Sequence, residues 1–539
     1  MEEAVAIDQV IQKNFSQLQK PGVLFVRPGY KATKGKVKDE PAIVVTVADK
    51  RKGVPARDRV PAKIAPYPTD VRQASPMHML RASNPDLWAE VADAVPPSLQ
   101  RPIFPLERDA SGQLEEPILA AAAAKVVAKK PPKLHVPYTP PATPPLAPIT
   151  DTFTIKCHAS PDAGWTTLGP FLKATEQALT IAMYEFTAPH IVQSFLKNLT
   201  DKTLELVLDD PHDPTKREQT EVQTHDQLEG GFGKSLAFAW ALEGSDPHVS
   251  GMTFPSAYHI KVIVRDSSAF WLSSGNLNSS NQPKIDPIGD LAGAKATLPH
   301  CDRDWHVIVE GSALAKLFEA FIRHDFNVAS DHQLTNTEAS DTKIVQAALA
   351  AHVKPPKVPS RIPVKFFAPK SIKANMKIEP VLTPDNFAAS IIPLIRSAKK
   401  TFIMQTQYIN PPKTDASLTT AAGKSDAALE SLITAIKELI DEGVDVKLIM
   451  SEFETNDKIE ALCERGIDPK FIKTQAGVHN KGMVVDSSVV VVGSQNWSAQ
   501  GVAQNRDASV IIHNAEAAKY WEQIFDHDWQ HMADFASLD

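Results

Sequence analysis

The apolar positions change period several times along the chain, and the changes mark out elements. Near the start, Ile7, Val10, Ile11, Phe15 and Leu18 recur at helical spacing, which predicts an amphipathic helix. VLFVRPGY and PAIVVTV read as strands, and PGYKATKGK reads as the turn between them. Further on, one order of elements occurs twice. A Pro-Asp turn and a helical stretch come first, SPDAGWTTLGPFLKATEQA and TPDNFAASIIPLIRSAKK. Each leads into an apolar strand, LTIAMYEF or TFIMQTQY, then a helix and a second strand, LELVLDD or VDVKLIM. Each copy then reaches a histidine-led strand, HIKVIVRD or HNKGMVVD, and an acidic-headed one, RDWHVIV or RDASVII. Alternation of this kind indicates α/β layering. The two segments are two copies of one fold, about 220 residues apart.

Proline divides the chain. Its 43 prolines in 539 residues exceed the average usage of about 5%, and they cluster. One stretch runs from Ala120 to Pro148, and the other is KPPKVPSRIP. Both predict extended, semi-rigid connectors. The expected organisation is a small α/β N-terminal domain (1–120), a linker (121–150), a first repeat (151–350), a linker (351–364) and a second repeat (365–539). The N-terminal domain shows no chemistry and reads as a docking or stabilising module.

Composition narrows the class. At 43% hydrophobic and 22% charged, the chain has the balance of a folded protein, not a disordered or fibrous one. A formal charge of -7 gives no basic excess that would advertise nucleic acid. Cys157, Cys301 and Cys463 lie far apart and read as buried free thiols in a reducing compartment. No signal peptide and no membrane-spanning apolar run are visible. The expectation is a cytoplasmic monomer, with export by another route left open.

The chemistry lies in the repeat. The first copy reads His259-x-Lys261-x4-Asp266, then x6-Ser273-Ser274-x-Asn276. The second reads His479-x-Lys481-x4-Asp486, then x6-Gly493-Ser494-x-Asn496. One such motif alone is a weak signal, but two in register within a repeat are not. Side chains two apart on a strand share a face, so each His and Lys point the same way. Asn276 and Asn496 end the next strand, where a hairpin brings them alongside. Two imidazoles, two ammonium groups and two carboxamides suit a tetrahedral anion, with one histidine on each side of phosphorus. Neither copy has a cluster suited to a metal. Asp266 and Asp486 stand at odd offset from their histidines and should face away, holding the strand ends.

At these residues the sequence resembles the phospholipase D superfamily, with its duplicated H-x-K-x4-D-x6-G-S-x-N motif. The resemblance covers about residues 151–539. It departs once, at Ser273, where the family has glycine. It implies two tandem αβα sandwich repeats forming a pseudo-twofold bilobal unit. It also implies that Asp304 and Asp507, each in an Arg-Asp pair, support the imidazoles. The reaction it implies is a two-step displacement at a phosphodiester through a phosphohistidine, without cofactor or metal. By that resemblance His259 is the nucleophile and His479 the acid/base; the sequence alone does not order them.

Phospholipid head groups are the favoured substrate, reached by transient contact with a membrane surface. A nuclease of the same fold is the alternative, with Lys365, Lys370, Lys373 and Lys377 lining a groove. A non-catalytic binding protein is a remote third. Phe232, Phe238 and Trp240 could form an apolar lip or lie in the core. GGFGKS, from Gly230 to Ser235, lacks the spacing of a phosphate-binding loop and reads as a flexible loop. His158, His225 and His306 show no pairing logic and read as structural.

Overall fold

The computed structural model describes most of residues 7–47 and 59–73, then 107–108, 114–115, 138–209, 219–241, 257–331, 362–412, 421–451 and 456–536. The chain divides into two compact units, 1–131 with 336–355, and 132–335 with 356–539.

In the first unit, strands β1 (Val23–Thr33), β2 (Lys36–Val47), β3 (Lys63–Ile64) and β4 (Tyr67–Gln73) form a sheet in the order β1-β2-β4-β3. Ile7, Ile11 and Leu18 bury against Ile43, Val45 and Ile64, so the helical stripe covers this sheet. The expected turn at PGYKATKGK is mostly strand. β1 pairs with β2 from Val23↔Val47 to Thr33↔Lys36. Pro28 is tolerated because β1 is an edge strand. A short hairpin follows, β5 (Glu107–Arg108) with β6 (Leu114–Glu115).

The second unit holds both repeats on one 15-stranded sheet. The first repeat supplies β7 (Ile149–Ser160), β8 (Ala178–Met183), β9 (Thr203–Leu208), β10 (Leu236–Trp240), β11 (Lys261–Arg265), β12 (Ala269–Ser273) and β13 (Asp304–Glu310). The second supplies β14 (Lys370–Thr383), β15 (Thr401–Thr406), β16 (Asp445–Ser451), β17 (Ile472–Gln475), β18 (Lys481–Val485), β19 (Val489–Gly493), β20 (Asp507–His513) and β21 (Asp534–Phe535). The order is β10-β9-β8-β11-β12-β13-β7-β14-β20-β19-β18-β15-β16-β17-β21. It reads nearly the same from either side of the central β7–β14 pair.

That central pair is where the sequence pattern fell short. Each repeat begins not at its Pro-Asp turn but one strand earlier. β7 and β14 run antiparallel from Cys157↔Lys370 to Ile149↔Ile378, making the two repeats one sheet. A shared core spans the junction, including Phe153, Trp305 and Phe318 from the first repeat and Ile378, Trp521 and Phe525 from the second.

Other expectations change as well. Gly230 and Gly231 lie inside the helix Glu221–Phe232, and Gly233–Ser235 is a tight helical turn, so GGFGKS is ordered. Lys370, Lys373 and Lys377 sit on β14, where Lys370 meets Glu516 and Lys377 meets Glu379. Thr383 ends that strand six residues beyond Lys377, about 20 Å at strand rise, so these lysines line no groove at the motif end. Phe232 is buried in the core, with Phe238 and Trp240 packed partly buried against it. The three cysteines are free, and only Cys157 is fully buried. Among the described residues, no helix is long and apolar enough to cross a membrane.

Candidate active site

Each motif occupies equivalent structure. His259 and His479 stand just before β11 and β18, which begin with Lys261 and Lys481. The next strands, β12 and β19, end at Ser273 and Gly493, and the turns beyond carry Ser274 with Asn276 and Ser494 with Asn496. The next acidic-headed strands, β13 and β20, begin with Asp304 and Asp507.

The pairing crosses between repeats. His259 Nδ1 lies 2.7 Å from Asp507 Oδ1, and His479 Nδ1 lies 3.1 Å from Asp304 Oδ1. Each imidazole is therefore held by the carboxylate of the other copy. Backbone bonds enforce the exchange: Arg303 N–H donates to Gly477 O, and His479 N–H donates to Arg303 O. On the other side, Arg506 N–H donates to Ala257 O. The seam is fastened by the arginines preceding the two aspartates. Arg303 forks onto Asp528 and reaches Asp162, while Arg506 forks onto Asp325 and reaches Asp385. Both guanidinium groups are almost fully buried, and each has one partner in the opposite repeat. One dipeptide thus serves two tasks, its arginine fastening the seam and its aspartate meeting the imidazole.

The serines fix the carboxylates. Ser274 Oγ donates to Asp304 Oδ1 at 2.7 Å, and Ser494 Oγ donates to Asp507 Oδ1 at 2.6 Å. Asn281 Nδ2 adds a bond to Asp304 Oδ2 at 2.9 Å. Lys261 is fully buried, donates to His259 O, and lies over the Tyr184 ring. Tyr184 also meets the His259 ring edge-on, with centroids 4.7 Å apart. Lys481 Nζ approaches both ring nitrogens of His479 at 3.2 Å. Asn276 donates to Glu185, and both Asn276 and Asn496 keep a buried, unpartnered side-chain oxygen.

Asp266 and Asp486 lie at the far ends of β11 and β18. Asp266 accepts from the backbone N–H groups of Glu176, Gln177 and Ala178, and Asp486 from those of Lys399, Lys400 and Thr401. Each therefore closes the turn leading into the neighbouring strand, β8 or β15. Both sit in the left-handed region, φ 51° and 49°, where a short polar side chain bonded to nearby backbone is tolerated.

Burial sets the electrostatics. Burial first, then Lys261, brings His259 down to about 3, with Asp507 opposing. Burial, then Lys481, brings His479 down to about 4, with Asp304 opposing. The carboxylates favour charged imidazoles, but burial and the lysines outweigh them. Burial lowers Lys481 to about 8. It also lowers Lys261 well below the usual lysine value, with repulsion from Lys481 adding to the shift. Burial would raise Asp304, but His479 and its hydrogen bond outweigh it and bring the carboxyl to about 2. Each lysine feels both Asp304 and Asp507, so the groups of both copies form one site. With cations crowded together and low in pKa, the site favours an arriving anion.

Sequence reasoning left His158 and His306 without partners. They are fully buried against each other, ring centroids 4.8 Å apart. His158 and His306 occupy facing positions on β7 and β13, a pairing visible only once β7 is recognised. His225 instead packs against Phe238, ring centroids 4.4 Å apart and tilted by 56°. With Asp226 and Glu229 it could hold a metal ion, outside the motifs.

Residues 391–529 match the family model described as cardiolipin synthase, PLD-like domain. The second repeat thus matches a phospholipase D-like domain. The chain is 22% identical to a cardiolipin synthase of Clostridium perfringens (strain SM101) over 278 residues, 50% of this chain and 49% of that protein. It is 31% identical to a mitochondrial cardiolipin hydrolase of Xenopus tropicalis over 112 residues, 20% of this chain and 53% of that protein. The chain thus spans about half the length of these curated relatives. A solved phosphatidylserine synthase of Haemophilus influenzae aligns with TM-score 0.48 at 12% identity, covering 70% of this chain and 87% of the other.

Proposed function

We propose that the protein is a phospholipase D-type phosphodiesterase that releases phospholipid head groups through a covalent phosphohistidine. The observation that carries this reading is the crossed pairing, in which His259 meets Asp507 and His479 meets Asp304. Carboxylate support at Nδ1 leaves Nε2 of each ring for phosphorus or for a proton. His259 Nε2 attacks phosphorus as the bond to the leaving alkoxide breaks, and His479 gives that alkoxide its proton. His479 then takes a proton from water as the water oxygen attacks phosphorus and the bond to His259 breaks. Asp507 stabilises the positive charge that develops on His259. Lys261, Lys481, Asn276 and Asn496 neutralise the phosphoryl oxygens, doing electrostatically what a metal ion would do.

The low pKa of His479 fits this scheme once substrate is counted. A phosphodiester anion seated between Lys261 and Lys481 cancels their repulsion toward the imidazolium and raises His479, so the donor proton is held when substrate is bound. Phospholipid is favoured because the curated relatives are named for cardiolipin synthesis and cardiolipin hydrolysis. The absence of a lysine groove on β14 weighs against the nuclease alternative. Both halves of the site lie in one chain, so a monomer in transient contact with a membrane surface suffices. The test is product analysis with cardiolipin, phosphatidylcholine and single-stranded DNA offered side by side. Release of phosphatidate and the head-group alcohol is expected. Cleavage of DNA alone would overturn the lipid assignment.

A further inference from the structure

We infer that His306 is a positioning residue that braces Asp304, and through it His479, in the opposite repeat. This inference rests on the reading above. His306 Nδ1 lies 2.7 Å from Ser273 Oγ, and its Nε2 lies 2.9 Å from Ser160 Oγ. Ser273 Oγ accepts from Gly275 N–H and donates to Gly275 O, both at 2.8 Å. With the serine hydrogen thus used, a neutral imidazole completes the set by donating from Nδ1 and accepting at Nε2. Gly275 in turn lies flush on the aspartate: a Cβ there would come 2.5 Å from Asp304 Oδ2. The chain of contact is Ser160, His306, Ser273, Gly275, Asp304, His479.

The second repeat solves the same problem with different residues. The facing strand pairs are Ser273↔His306 and Gly493↔Ser509. At Gly493 a Cβ would meet Ser509 Oγ at 1.6 Å, so a serine there is excluded. Ser509 bonds instead to Gln495, which stands where the first repeat has Gly275. The large polar group behind the aspartate comes from strand position 306 in one copy and from turn position 495 in the other. This accounts for Ser273, the one departure from the family motif, as half of a compensated exchange.

Burial, then His479, lowers His306 to about 4, with Asp304 opposing. Its other titratable neighbour is His158. The groups facing His479 are Asp304, Lys481 and Lys261.

The test uses the full chain and three variants: His306→Ser, His306→Asn, and Ser160→Ala, which takes away the bond at His306 Nε2. The readout is kcat against pH on a phospholipid, beside bis(p-nitrophenyl) phosphate, whose leaving group needs no proton. His306→Ser should lose about tenfold in kcat on the lipid, with its alkaline limb moved to lower pH, and much less on the aryl diester. His306→Asn should recover most of both, and Ser160→Ala should move the limb the same way by less. If His306→Ser does not fold, Ser160→Ala still decides. An unmoved limb in His306→Ser or in Ser160→Ala overturns the brace. Wild type inactive on both diesters would instead overturn the proposed function.

Discussion

Replacing Asp304 by asparagine isolates the crossed pairing. The carboxylate is fully buried, meets His479 Nδ1 at 3.1 Å, and accepts from Ser274 on the same oxygen and from Asn281 on the other. Asparagine keeps the shape but removes the charge. It must also turn its NH2 toward one of these donors, so one bond is lost in either orientation. A hydrogen bond to a charged partner contributes about 1.5–3 kcal/mol. Spent on the protonated state of His479, that corresponds to about 1–2 pH units and roughly 10–150-fold in rate. The assay is log kcat against pH with a phospholipid and with bis(p-nitrophenyl) phosphate. Asp304→Asn should move the alkaline limb for the lipid to lower pH by that amount and slow the aryl diester much less. Asp507→Asn is the contrast. Its partner is His259, whose attack is needed whatever the leaving group, so both substrates should slow while the limb stays in place. A limb that moves in Asp507→Asn but not in Asp304→Asn would refute the crossed assignment.

Gly482→Val should cost about 1–3 kcal/mol by overpacking, because a Cβ at 482 would lie 2.2 Å from the Trp305 ring; thermal unfolding should show partial rescue by Trp305→Ala. Arg506→Ala should cost about 3–5 kcal/mol in chemical denaturation, since it strands the buried carboxylate of Asp325 and the nearby carboxylate of Asp385. The alkaline limb of kcat/KM, which reports the free enzyme, should lie at lower pH than that of kcat. Burial and Lys481 hold His479 to about 4, while bound anion raises it, so the donor proton is lost at lower pH without substrate; coincident limbs in a full pH–rate series would contradict this.

The motif made the site legible because strand geometry ties spacing to direction. His259 with Lys261, and His479 with Lys481, needed only the two-residue period of a strand. The odd offset that turned Asp266 and Asp486 away from the histidines agrees with the backbone bonds they accept. What spacing cannot carry is contact between elements distant in sequence. Nothing in the order of residues said that Asp507 reaches back 248 positions to His259. The long strands β7 and β14 were obscured by the proline-rich runs preceding them and by polar residues along their length, such as Asp151, Thr152 and Lys156. Missing β7 also hid the His158–His306 pair. The net effect on the histidine pKa values depended on depth of burial, which only the folded packing supplies.

The central claim is one phosphate site assembled from both repeats, with a phosphohistidine formed on a single histidine. The direct measurement is a rapid quench under alkaline denaturing conditions, which preserve phosphohistidine, with substrate labelled in the retained phosphatidyl moiety. Peptide mapping then locates the adduct. The expected result is at most one label per chain, on His259, absent from His259→Ala and accumulating in His479→Ala when the leaving group needs no proton. Label on His479 alone would reverse the two roles. Label on both histidines of one chain at once, or sustained turnover in His259→Ala without any adduct, would contradict a single composite site working through a covalent intermediate.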